Sequence, residues 1–202
     1  MDKEKLGLGD SVSFVLRGKD GKVKDVGRVT DKKEVRVNMD DLRKKLTEKP
    51  HLKGALELIL SDKDGKIKDR RFFPNLVVNA GFAAVAGLIL ADVTVNDFDE
   101  IAIGTGAVAP AAGDTALGAE ITTGGGSRLT GANVTGTRVT TTVTDDTAQL
   151  VGTFNFTASF AVTESGVFND PTTGDMLARQ TFSVINVANG DSLQVTWKIQ
   201  VS

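Results

Sequence analysis

The sequence predicts a mainly β protein with an antiparallel, β-sandwich or jelly-roll-like C-terminal domain. In residues 98–198, which are rich in Thr, Val, Gly, Ala and Asn, apolar and polar residues alternate between Gly-rich breaks. Charge also shifts along the chain: residues 100–202 hold four Lys or Arg and nine Asp or Glu, and the preceding residues hold the other 20 and 17. We therefore predict an N-terminal hairpin and short-helix unit at 1–74, a connecting Ala/Gly-rich helix at 75–98 and the β-sandwich domain at 99–202.

An internal repeat defines the N-terminal unit. Residues 14–25 read FVLRGKDGKVKD, and residues 58–69 read LILSDKDGKIKD. Each copy is a strand, a Lys-Asp-Gly-Lys turn and a return strand. Asp-Gly suits a type I′ turn, because both central residues of that turn need positive φ. We predict two tight hairpins, at 11–29 and 56–73.

Two helices are predicted outside the sandwich. Asn38-Met39-Asp40-Asp41 offers N-cap side chains for a short helix at 41–48, which ends before Pro50. Asn75 or Asn79 could cap a second helix that runs to about Leu90. The apolar run at 76–91 is shorter than the roughly 20 residues that cross a membrane, so we predict a buried helix. The polar N-terminal residues predict no signal peptide.

The C-terminal strands follow from period-two alternation. The pattern predicts strands at 100–103, 138–144, 150–160, 165–169, 176–184 and 192–201. In the strand at 150–160, the phenylalanines at alternate positions are predicted to face inward. Between Gly104 and Gly136 lies a long segment of Gly, Ala and Thr, which in a compact domain usually makes contacts or serves function. We expect this segment and residues 1–74 to contact other subunits.

Composition excludes several classes of site. The chain has no Cys, no Tyr and a single His, so neither a disulfide nor a thiolate metal site can form. The net charge of −2 gives no basis for nucleic-acid binding. We predict no catalytic, cofactor-binding or metal-binding residues and no enzyme activity.

Two kinds of motif resemble ligand-binding loops, but the residues around them do not support that interpretation. Lys19-Asp20-Gly21 and Asp62-Lys63-Asp64-Gly65 resemble fragments of a calcium loop, but Lys occupies the intervening positions, so hairpin turns are favoured. Gly104-Thr105-Gly106 and Gly124-Gly125-Gly126-Ser127 lack the Lys and the following helix of a phosphate loop, so they are interpreted as turns.

The remaining candidates are a single histidine, one possible carboxylate pair and a group of arginines. His51 has no second histidine and is interpreted as a surface residue. Asp145-Asp146 and Glu164 could form a glycosidase carboxylate pair, but sugar-stacking aromatics are scarce and Asp145-Asp146 is typical of a turn. Six arginines lie among interleaved acidic residues and are interpreted as a salt-bridged surface rather than a binding stripe. They are Arg17, Arg28, Arg36, Arg43, Arg70 and Arg71.

A series of short motifs carries a family resemblance over roughly residues 56–202. After the second hairpin come NLVVNAG at 75–81, IAIGTG at 101–106, PAAGDTALGAE at 110–120, ESGVFN at 164–169, MLAR at 176–179 and GDSLQVTW at 190–197. In this order they resemble a family of small structural proteins of tailed bacteriophages. The unit before residue 50 departs from that pattern.

The resemblance implies a non-enzymatic virion component built on a β-sandwich. Its partners would be copies of itself and other virion proteins, without nucleic acid or membrane. It would be assembled in the host cytoplasm and sit on the capsid, neck or tail. The alternative is a host-surface or glycan-binding module of a phage fibre, which exposed aromatic residues would favour. An enzyme such as a depolymerase is the third class, and it lacks a coherent acid/base set.

Overall fold

The computed structural model describes residues 52–90 and 94–201, together with the backbone of two short strands, β1 (Leu16–Arg17) and β2 (Val23–Lys24). The chain divides into two compact units, Met1–Lys49 and Pro50–Ser202. In the first unit, β1 pairs antiparallel with β2, in the centre of the predicted hairpin at 11–29. The rest of that hairpin, the predicted helix at 41–48 and His51 lie outside the described residues.

Two antiparallel sheets form the second unit, which confirms the predicted mainly β, sandwich-like fold. The strands are β3 (Leu52–Ser61), β4 (Ile67–Pro74), β5 (Leu76–Val77), β6 (Glu100–Gly104), β7 (Val134–Val139), β8 (Thr147–Asn155), β9 (Phe160–Phe168), β10 (Met176–Val187) and β11 (Ser192–Val201). The five-stranded sheet has the order β4-β3-β11-β8-β7, and the four-stranded sheet has the order β5-β10-β9-β6. One helix, α1 (Asn79–Ile89), and a 3-10 turn at Gly131–Asn133 complete the described part.

The core lies between the facing sides of the two sheets. Strand β11 shows the predicted alternation, because its residues at every second position are buried: Leu193, Val195, Trp197 and Ile199. Apolar side chains of both sheets surround Trp197, which is fully buried. This alternation places one face of β11 in the core, as a half-buried strand requires.

The second hairpin belongs to the sandwich, so the predicted unit boundary at residue 74 is wrong. Strand β3 pairs with β11 along its whole length, from Leu52 opposite Val201 to Ser61 opposite Ser192. Leu56 and Leu58 are fully buried in the core. The repeat therefore places similar sequences in two different units, and hydrophobic burial rather than sequence similarity sets the boundary.

The turn of this hairpin also differs from the prediction. Gly65 has φ 80°, but Asp64 does not adopt positive φ, so the turn is not type I′. Gly65 N donates to Asp62 O at 3.0 Å, and the Asp62 carboxylate accepts the N–H groups of Asp64 and Lys66. This Asp side chain stabilises a longer turn that ends in a left-handed glycine.

Helix α1 lacks the predicted asparagine cap. Its N-cap is Val78, and no side chain caps it. Asn75 N instead donates to Gly54 O at 3.0 Å, and Asn79 N donates to Ala112 O at 2.8 Å. The helix is only half buried, which corrects the predicted buried helix at 76–91. No helix of the described residues is long and apolar enough to cross a membrane.

Several strand bounds differ from the prediction, and in two strands the reason is a turn that interrupts the alternation. The strand predicted at 138–144 is β7, which ends at Val139 before a turn that Asp146 organises. The strand predicted at 150–160 ends at Asn155, and Phe160 opens β9, which extends the strand predicted at 165–169. Phe154 and Phe156 are buried, as predicted for the inward face.

Candidate functional site

The outer face of the four-stranded sheet lies beneath residues 105–120, and Glu164 of β9 holds this segment in place. Glu164 is fully buried. Its carboxylate accepts backbone N–H groups from Gly106 at 2.8 Å, Gly118 at 3.0 Å and Ala119 at 2.8 Å. Three amides from two separate parts of the segment therefore converge on one buried anion.

Arg179 of β10 balances the charge of Glu164. Its Nε and Nη2 donate to Glu164 Oε2 at 3.0 and 2.7 Å, and Nη1 donates to Asp114 Oδ2 at 2.7 Å. Burial opposes ionisation of Glu164, but the three amides and Arg179 outweigh it and hold the pKa of that carboxyl below its usual value. Glu164 thus stays ionised at neutral pH and cannot act as a general acid there.

Glycines give Glu164 the space that this arrangement needs. A Cβ on Gly104 or Gly106 would lie 2.5 or 2.3 Å from Glu164 Oε1. Gly104-Thr105-Gly106 is therefore an anion cradle, which the sequence interpretation as a simple turn missed, and the anion is the chain's own carboxylate. We call residues 104–120 with Glu164 and Arg179 the Glu164 anchor.

A second arginine holds the next part of the segment. Arg128 Nε and Nη2 donate to Glu120 at 3.0 and 2.7 Å, and Nη1 donates to the carbonyl oxygens of Asp170 and Thr173 at 2.8 and 3.1 Å. Its guanidinium lies 3.8 Å from the centroid of the Phe168 ring. Arg128 therefore joins the segment to the turn between β9 and β10.

Residues 121–129, which follow the segment, form backbone hydrogen bonds with the free edge of β6. Ile101 and Leu129 exchange two of them, at 3.1 and 2.8 Å, and Ile121 N donates to Ile103 O at 2.9 Å. This pairing protects an edge strand that would otherwise be open to other chains. These hydrogen bonds order the region within a single chain, and its contacts with other subunits stay a prediction.

The carboxylates considered and rejected as a glycosidase pair have structural partners. Asp146 accepts the N–H groups of Thr141, Thr142 and Val143 at 2.8 to 2.9 Å, and these bonds, that of Val143 foremost, hold its pKa below the usual range. Asp145 sits in the same turn with φ 60°. The turn interpretation is confirmed, and Glu164 is enclosed elsewhere by its own anchor.

The other sequence candidates are also structural where they are described. The turn at Asp62 is confirmed, and the described residues contain no group of three or more His, Cys, Asp or Glu that could hold a metal. Gly124 and Gly125 adopt positive φ in a tight turn. Arg70 pairs with Glu57 and Arg71 with Asp69, as a salt-bridged surface predicts.

One unusual carboxyl group was missed by the sequence interpretation. Glu100, the first residue of β6, is only 6% exposed, and its Oε2 has no hydrogen-bond partner. Burial, a hydrogen bond with Asp99 and the nearby carboxylates of Asp170 and Asp97 raise its pKa to about 7. The only signal in the sequence is the acidic run Asp97-Phe98-Asp99-Glu100, which gives no indication of burial.

No protein-family model matches the chain, and no curated protein shows significant similarity to it.

Proposed function

We propose that the chain is a non-enzymatic structural component of a tailed-phage virion. It would decorate the capsid or belong to the neck or tail, and it would act through contacts with copies of itself and with other virion proteins. The chain would be assembled into particles in the host cytoplasm and would then be part of the virion.

The observation that carries this proposal is the convergence of separate motifs on the Glu164 anchor. Gly104 and Gly106 belong to IAIGTG, and Gly118 belongs to PAAGDTALGAE. Glu164 opens ESGVFN, and Arg179 closes MLAR. Four of the motifs that resemble phage structural proteins thus build one buried network, although they are dispersed over more than 70 residues of sequence.

The chemistry of this network favours a scaffold over an active site. Its carboxylate is fully enclosed, and its lone pairs are occupied by three amides and one guanidinium. An enclosed ion pair of this kind orders a long loop over a sheet, and it has no open position for a substrate. A rigid surface segment loses little conformational entropy when it binds a neighbouring protein, which suits a protein that acts through such contacts.

The test is to locate the protein on particles. Antibodies raised against the purified chain would be used for immunogold labelling of phage particles purified from a lysate of the host that carries its gene. We expect gold at one regular position on each particle and co-sedimentation of the chain with particles. A chain that remains entirely in the particle-free fraction would contradict the proposal.

The alternative, a glycan-binding module of a phage fibre, would use exposed aromatic rings. Phe72 on β4 is 67% exposed, whereas Trp197 is fully buried. Glycan-array binding that Phe72→Ala abolishes would favour this alternative over a purely structural role.

A further inference from the structure

Helix α1 presents an apolar face that nothing in the described part of the chain covers. Gly81 and Ala84 are buried on its inner side, and a Cβ on Gly81 would lie 2.4 Å from the carbonyl oxygen of Leu177 in β10. On its outer side, Phe82 is 45% exposed and Ile89 is 80% exposed. Residues 82, 86 and 89 fall on one stripe of a helix.

The apolar surface also includes a residue in the last turn of the helix and the residue that follows the helix. Leu88 is 40% exposed and Leu90 is 81% exposed. Together with Phe82 and Ile89 they expose an area on the order of a few hundred Å², the size of the largest apolar patches on monomeric proteins. The other strongly exposed large apolar residues of the described part belong to other strands and loops: Ile67, Phe72, Val108, Val143, Val184 and Val201. We call Phe82, Ala86, Leu88, Ile89 and Leu90 the α1 face.

The charge pattern of α1 favours one class of partner. None of its eleven residues, NAGFAAVAGLI, is charged, so it departs from a surface helix with a polar outer side. In a two-fold symmetric contact, each residue near the axis meets its own copy, and any charge there would face a like charge. Because α1 carries no charge, this repulsion cannot arise anywhere along the helix. The helix also offers no charged group that would select a different protein.

We propose that the α1 face is the contact between two copies of this chain. The helices would cross near Ala86, at the middle of the stripe, where a small side chain permits close approach. For its role in a particle, the inference rests on the virion function proposed above. Because a stable interface buries about 800 Å² per partner, the α1 face alone makes a weak dimer that dissociates on dilution. Such a contact would strengthen when particle assembly raises the local concentration.

The first test measures association of the full-length chain by sedimentation velocity from about 1 to about 200 μM. We expect a reversible dimer. Ile89→Glu should raise its dissociation constant at least about tenfold, because the substitution places two like charges in the contact. The matched control is Phe72→Glu, which alters an equally prominent exposed residue on the other sheet and should change the constant less than about twofold. A chain that is monomeric throughout, or a dimer that Ile89→Glu leaves intact, overturns the proposal.

A second measurement remains decisive if a substitution disturbs folding. The chain has no cysteine, so Ala86→Cys and Val143→Cys each introduce a single thiol. A short bis-maleimide should crosslink Ala86→Cys to itself efficiently and Val143→Cys poorly, and equal yields would contradict the proposal. The outcome is separable from the virion role: a monomeric chain found on labelled particles would refute the α1 contact alone, and an α1 dimer absent from particles would refute the virion role alone.

Discussion

Trp197 Nε1 donates a hydrogen bond of 3.1 Å to Ser165 Oγ, which joins the two sheets through the middle of the core. The Ser165 hydroxyl in turn donates to the carbonyl oxygen of Ala102 at 2.9 Å. All three residues are buried. The neighbouring residue, Glu164, points to the opposite side of the same strand, where it holds the 104–120 segment. Two consecutive residues of β9 thus organise the core and the outer layer, because successive side chains in a strand face opposite sides.

Ser165→Ala should lower the free energy of unfolding by about 1–3 kcal/mol, because it leaves the Trp197 indole N–H unsatisfied in the core. Urea denaturation followed by fluorescence measures this directly, since Trp197 is the single tryptophan. Ser159→Ala, at an exposed position, is the control and should change stability by less than about 0.5 kcal/mol. Equal effects of the two substitutions would show that the indole bond contributes nothing specific.

Arg179→Met should destabilise the protein by about 3–5 kcal/mol, because it leaves the charge of Glu164 buried without its partner. The matched control is Arg70→Met, which breaks the exposed pair with Glu57 and should cost about 0–1 kcal/mol. Hydrogen exchange provides a second readout: the amides of Gly106, Gly118 and Ala119 should lose protection in Arg179→Met. Unchanged exchange at these three amides would mean that the anchor does not hold the segment.

Gly106→Ala should destabilise the protein by about 1–3 kcal/mol, because the added Cβ would lie 2.3 Å from Glu164 Oε1 and must displace it. Gly113→Ala is the control within the same segment, since a Cβ there has no neighbour within 4 Å. Thermal unfolding of the two variants beside the wild type gives the comparison. Equal melting temperatures of the two variants would contradict this prediction, because they would show that a Cβ at Gly106 does not displace Glu164.

Stability should fall as pH rises through neutrality, because the pKa of Glu100 is about 7 in the folded protein and about 4.5 when exposed. A carboxyl whose folded pKa is raised stabilises the fold while it is protonated. Its contribution is complete below about pH 4.5 and is lost as pH passes 7. Burial disfavours the ionised form of Glu100 most, followed by Asp99, Asp170 and Asp97.

The measurement is the melting temperature from pH 5.5 to 8.5 for wild type and Glu100→Gln. We expect the wild type to lose on the order of 1–3 kcal/mol over this range and the glutamine variant to lose much less. At acid pH both should be destabilised equally, since Glu164, Asp114 and Asp191 have lowered pKa values and lose stabilising interactions when protonated. A wild type whose stability is flat from pH 5.5 to 8.5 would contradict this account.

Local patterns were sufficient to predict some parts of the fold. The alternation in β11 predicted both its bounds and its buried face, because burial of every second side chain is a property of a single strand. The Asp-Gly hairpin was predicted from its turn chemistry, which also involves only a few neighbouring residues. Its turn type was not, because the Asp62 side chain competes with the type I′ geometry.

The sequence by itself determined that the chain forms a mainly β sandwich and that Asp145-Asp146 marks a turn, because period-two hydrophobicity and turn chemistry act over a few residues. Only the tertiary structure decided that β3 joins β11, that Glu164 meets Arg179 beneath the segment at 104–120, and that Glu100 is buried without a full set of partners. These outcomes depend on strand register and on loops that return from distant positions. Hydrogen bonds and desolvation then act between residues whose proximity no local pattern encodes.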